Sequence, residues 1–162
     1  MGHASIDRKA TMNLQYLCAK HRQWLFEDFD RAEQHWLQWI ERGIQAYEQQ
    51  DYRNAVTFLG CAFEISNHLL SHSWPDVEVA VSRYTYSNIC LARAYEQIGE
   101  QQTRHYLLAE ADRRLADFYP EPASYNHLAR CKQSLKARAD SAYWVNQHLL
   151  SDSLTANTIK AH

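Results

Sequence analysis

Glycine and proline are scarce in this chain, 4 and 3 residues among 162, and Pro75 and Gly99 are separated by 23 residues that include neither. Sandwiches and barrels need a turn-former every ~8–12 residues, so they are excluded and long helices are the natural alternative. Gly2, Gly43, Gly60 and Gly99 are also too dispersed to build a P-loop or a dinucleotide fingerprint, which need clustered glycines to bring backbone N–H groups up to phosphates. Long apolar runs are missing as well: the longest stretch of Ala, Val, Ile, Leu, Met, Phe, Trp, Tyr and Cys is four residues, as in Ile89 to Ala92. That gives neither a membrane span nor a signal peptide, and a cytoplasmic protein without membrane contact is expected. Surplus charge is lacking too. Seventeen basic and 19 acidic residues give a net charge of −2, which draws in neither nucleic acid nor an acidic membrane.

What is present is 46% hydrophobic and 12% aromatic residues, enough to build the core of one domain. Four cysteines, Cys18, Cys61, Cys90 and Cys131, lie far apart and read as free buried thiols. Nine histidines would carry the formal charge from −2 to +7 on full protonation, which makes solubility pH-dependent near pH ~6.5.

Apolar spacing predicts six helices in one domain over residues 12–150. The first spans about 14–29 through Leu14, Leu17, Cys18, Leu25 and Phe29, and the second about 31–48. The third runs over about 52–72. After the break at Ser73-Trp74-Pro75-Asp76, with Pro75 in the opening turn, a fourth runs to about Ile98; Val77, Val79 and Val81 also fit a short strand, but it would have no partner. Gly99 closes this helix and a fifth follows over 100–118. Tyr119-Pro120-Glu121-Pro122 is a hard stop before a long last helix, 123–150, with a seam of Leu128, Cys131, Leu135, Ala142, Val145 and Leu149. Residues 1–11 are expected to be a disordered leader, with Met12 a candidate start, and 151–162 a flexible tail. Trp24, Trp36, Trp39, Phe26 and Phe29 are expected to pack between the first two helices.

The helices at 31–72 and 76–118 align at a constant offset of 49: Ile40 with Ile89, Gly43 with Ala92, Leu59 with Leu108, Ala62 with Ala111. Two copies of one helical hairpin are implied. With Trp39, Gly43, Asp51-Tyr52, Ala55, Leu59 and Ala62 in one copy and Leu91-Ala92, Tyr95, Gly99, Leu108 and Ala111 in the other, residues 36–118 resemble the tetratricopeptide repeat family. Arg104 stands where that family has a small residue, the late proline is absent from both copies, and the repeat is about 15 residues longer than the usual ~34. The resemblance implies an all-α superhelix of antiparallel hairpins, flanked by an N-terminal helix and a long C-terminal capping helix. It also implies a non-enzymatic protein-interaction module with a concave groove.

Helical spacing then assigns the groove lining to Leu37, Ile40, Ile44 and Tyr47 from one copy and to Tyr86, Ile89, Arg93 and Glu96 from the other. Only Arg93 could clamp a terminal carboxylate, so the tail-binding chaperone subtype is rejected. The mostly apolar lining suits a peptide or amphipathic helix of a protein partner, as in an adaptor or a chaperone; the chain's own helix at 14–29 or a second subunit is the competing occupant. In size and repeat content the chain is similar to the secretion chaperones of bacterial injection systems, though those are more acidic.

Two alternatives come from other classes. Cys18-x-x-His21 and His68-x-x-x-His72 each put two donors on one helical face, so together they count the four ligands of a zinc or thiol-based sensor, although core and surface placement explains them as well. A structural homo-oligomer joined through Leu135 and Leu149 of the last helix is the other. No cofactor is expected and no catalytic triad is assigned. Arg130, Lys132, Lys136 and Arg138 read as a solvated face, not a nucleic-acid surface.

Overall fold

The computed structural model describes residues 14–72, 76–118 and 121–137. It contains α1 (Ala19–Phe26), α2 (Phe29–Glu48), α3 (Tyr52–Ser71), α4 (Val77–Gln97), α5 (Gln101–Ala116), a short 3-10 turn (Pro122–Ser124) and α6 (Tyr125–Lys136), with no strand among the described residues. The expected leader and tail, Trp74-Pro75, and the last helix beyond Ala137 with Ala142, Val145 and Leu149, lie outside these residues.

Aspartates start three of the helices. The side chains of Asp28, Asp51 and Asp76 accept from the amides of Arg31, Asn54 and Val79 at 3.2, 3.5 and 3.2 Å, satisfying N–H groups that have no partner within the first turn. Asp76 itself is therefore the cap of α4, and the valines after it are helical, which removes the strand alternative. The expected single helix over 14–29 is corrected. Leu14 to Cys18 is non-helical, α1 is 8 residues long, and Phe29 already belongs to α2 because Asp28 caps a new helix there.

The 49-residue offset extends to the turns. After α2 the Asp51 amide donates to the Ala46 carbonyl (2.8 Å) and Gln50 to Tyr47 (3.0 Å); after α4 Glu100 donates to Tyr95 (2.9 Å) and Gly99 to Glu96 (3.1 Å). Both are Schellman ends whose key residue takes a positive φ, 62° at Gln50 and 80° at Gly99. Three-residue connections of this kind fold α3 back on α2 and α5 back on α4. Adjacent helices then pack in chain order, giving the all-α superhelical arrangement. In the first hairpin Gly43 lets α3 approach closely, since a Cβ there would overlap the buried Leu59 side chain. Arg104, aligned with the buried Ala55, is itself buried and reaches back to Glu96 at 3.7 Å.

Helix α4 is the centre of the molecule. Residues 80–89 are buried without interruption, because α2, α3, α5 and α6 all pack against it. Three of its buried polar side chains donate back to their own helix: Thr85 Oγ1 to the Val81 carbonyl, Ser87 Oγ to Arg83 and Asn88 Nδ2 to Tyr84, at 2.7, 2.7 and 2.8 Å. The aromatic-rich segment splits. Trp36 is fully buried, Trp39 and Phe26 are half-buried, but Trp24 is 44% exposed, beside His21 and His35 and under the Arg31 guanidinium.

Candidate functional site

The α2/α4 face expected to be an open groove is closed along much of its length. Trp36 Nε1 donates to Ser87 Oγ at 2.8 Å, and the buried Arg83 lies 4.9 Å over the Trp36 ring and pairs with Glu33 at 3.1 Å. These contacts hold α2 directly on α4. Ile40, Tyr86 and Ile89 are accordingly core residues. Leu37, Ile44, Tyr47, Arg93 and Glu96 remain half-buried; Arg93 sits over the Tyr47 ring and Glu96 is engaged by Arg104.

The other candidate constellations are placed as follows. Cys18 is exposed, His21 packs on Trp24 and His35, and His68 is stacked between Phe26 (3.7 Å) and His72 (4.0 Å). The i, i+4 spacing of His68 and His72 thus serves ring stacking. Among the described residues no group of three or more His, Cys, Asp or Glu side chains is placed to hold a metal ion, which corrects the four-ligand alternative. Leu135 is buried within its own chain rather than offered to a second one.

His127 Nε2 lies 2.7 Å from Ser82 Oγ, 3.0 Å from the Glu78 carbonyl and 3.7 Å from Cys131 Sγ. The carbonyl can only accept, so Nε2 carries the proton and is not free to act as a base toward Ser82. Burial pushes the thiols of Cys61, Cys90 and Cys131 up to about 11, and they are not nucleophilic thiolates at neutral pH.

The most elaborated binding geometry is one that helical spacing missed. Leu14 to Cys18 forms a strap laid across α3 toward α4 and α5. The amides of Tyr16 and Leu17 both donate to Glu64 Oε1, the latter at 2.9 Å, and Glu64 Oε2 is held at 3.0 Å by Arg22. Glu64 thereby receives a peptide backbone and is itself oriented from α1. Tyr16 lies over Gly60, where any Cβ would overlap its ring. The ring meets Phe63 edge-on at 6.5 Å, and its hydroxyl lies 2.5 Å from that of Tyr95. Burial raises both phenols, so each stays protonated.

Leu14 ends the described strap between two hollows. One, about 240 Å³, lies over α4 and is lined by Asn67, Tyr84, Asn88, Leu107 and Arg114 among others. The second, about 310 Å³, lies between the strap, α1 and α3 and includes Phe26, Glu64 and His68. Arg114 ties the rim of the cleft together by donating from α5 to Asn67 and Ser71 on α3. A sequence signal for the cleft did exist: Gly60 inside a helix costs ~1 kcal/mol relative to Ala, which marks a close approach from outside.

No helix of the described residues is long and apolar enough to cross a membrane. Comparison with known proteins found no matching family model, curated protein or solved structure.

Proposed function

We propose that the chain is a non-enzymatic, tetratricopeptide-like interaction module that holds a non-helical peptide of a protein partner in the cleft formed by α3, α4 and α5. The observation that carries this reading is the strap: a short segment bound through its main-chain amides, a tyrosine slot and two flanking leucines, as a peptide ligand would be. The cleft departs from the α2/α4 groove that the repeat implies, and Leu37, Ile44, Tyr47, Arg93 and Glu96 form a separate outer face. The competing occupancy by the chain's own N-terminal region fits the same geometry, since an occupied cleft is one that a partner must open. Four unpaired cysteines support a cytoplasmic setting.

Random-peptide display against the full chain carrying Tyr16→Ala tests the reading. Selected peptides should lose retention when Glu64→Ala is added to the same chain. Enrichment indifferent to Glu64 would overturn it.

A further inference from the structure

The strap defines what the cleft reads, and this inference rests on the peptide-binding reading above. We infer that the partner segment has the pattern aliphatic-x-Tyr-aliphatic, with free main-chain N–H groups on its last two residues and no proline at either. Each position follows from a contact. Leu14 packs against the hydrophobic core and shares the hollow over α4 with Phe63, Tyr84 and Leu107, a seat that takes an aliphatic side chain, with Asn67, Asn88 and Arg114 lining the rest of it. Gln15 is exposed and makes no demand.

Tyr16 is specified three times. Gly60 supplies the space for a flat ring, Phe63 offers its edge, and the half-buried Tyr95 offers its hydroxyl for a hydrogen bond to a phenol that phenylalanine cannot make. Leu17 is buried, 5% exposed, and its amide shares Glu64 Oε1 with that of Tyr16. A proline at either position would remove a donor from a carboxylate placed to accept two. The Tyr16 carbonyl also lies 3.9 Å from Cys61 Sγ, so α3 engages both the amide and the carbonyl of Tyr16.

The chain's own strap satisfies this pattern, so it competes in cis with the partner segment. Weakening the strap raises apparent affinity, because only the open fraction of the cleft binds.

The test is fluorescence anisotropy with a labelled synthetic peptide, Met-Asn-Leu-Gln-Tyr-Leu-Ser-Ala-Lys, titrated with the full chain. Binding to Tyr16→Ala should be about tenfold or more tighter than to the unaltered chain. It should weaken at least about tenfold when the peptide tyrosine is Ala, when its Tyr and Leu amides are N-methylated, or when Gly60→Ala is added to the protein. Leu14→Ser, which leaves the tyrosine slot intact, is the second opened chain and gives the same ranking if Tyr16→Ala does not retain its helical circular dichroism. If the Ala and N-methylated peptides bind within about twofold of the parent, the pattern is overturned while the module reading stands on its display result. If neither this peptide nor any display-selected one binds, both fall.

Discussion

Substituting Gly60 by Ala separates the strap from the rest of the fold, because the two respond with opposite signs. Within α3 the change removes a helix-interior glycine, worth about 1 kcal/mol of added helix stability. At the strap the new methyl enters the space of the Tyr16 ring, which stands directly over Gly60. The ring cannot shift sideways without leaving Phe63 and the Tyr95 hydroxyl. What is then lost is part of a tyrosine's burial, about 1.5 kcal/mol, and a share of two amide bonds to a carboxylate, about 1.5 kcal/mol each when fully made. Local opening of the strap should therefore become easier by about 3 kcal/mol, equivalent to faster exchange of the Tyr16 and Leu17 amides by about 10²-fold. Hydrogen exchange read by mass spectrometry over residues 14–26 and over α3 to α5 measures both effects. The expected result is lost protection at the strap with unchanged or higher protection in α3 and α4. Unchanged strap exchange would refute the argument that Gly60 is there to admit Tyr16.

Three further outcomes follow from the fold. Gly43→Leu should cost about 1–3 kcal/mol in chemical denaturation by overpacking against Leu59, and a neutral result would contradict the close α2/α3 contact. Gln50→Gly should stabilise by about 0.5–1 kcal/mol, and Gly99→Ala should destabilise by about 1 kcal/mol, since both positions hold a positive φ that only glycine adopts without cost; equal effects of one sign would break the equivalence of the two turns. His68, chiefly because it is desolvated and secondarily because His72 is adjacent, is lowered from 6.5 to about 4. The folded chain then binds fewer protons than the unfolded one between these values, so His68 contributes stability that is complete above 6.5 and lost as the pH falls toward 4. Because the ring is partly exposed, the loss is discounted to about 1–2 kcal/mol, and His68→Gln should remove that share of the acid sensitivity in denaturation midpoints measured from pH 7 to 4.

The hairpins were legible in the sequence because helices declare themselves through apolar periodicity and through stop signals at fixed places. Ile40 and Ile89, Gly43 and Ala92, and Ala62 and Ala111 are buried pairs in the structure as their common offset implied, and Gln50 joins Gly99 as the turn residue. The strap was not legible, since Leu14, Leu17 and Cys18 fit a helical stripe equally well. What keeps Leu14 to Cys18 out of a helix is Glu64, 47 residues beyond Leu17, which takes the amides a helix would have used. The groove lining was misplaced for a related reason. Periodicity gives the face on which Ile40, Tyr86 and Ile89 lie but not the separation of α2 from α4, which Trp36, Ser87, Arg83 and Glu33 set by direct contact. For His68 and His72, one spacing serves either stacking or ligation, and only the position of Phe26 on α1 decides between them.

The central claim is that the cleft over α4 is a peptide site whose resident is the chain's own strap. An amide-resolved NMR titration of the full Tyr16→Ala chain with the Leu-Gln-Tyr-Leu peptide tests it most directly. Saturable shifts centred on Gly60, Cys61, Glu64 and Tyr95 are the predicted result. Shifts centred instead on Leu37, Ile44 and Tyr47, or none at all, would contradict it.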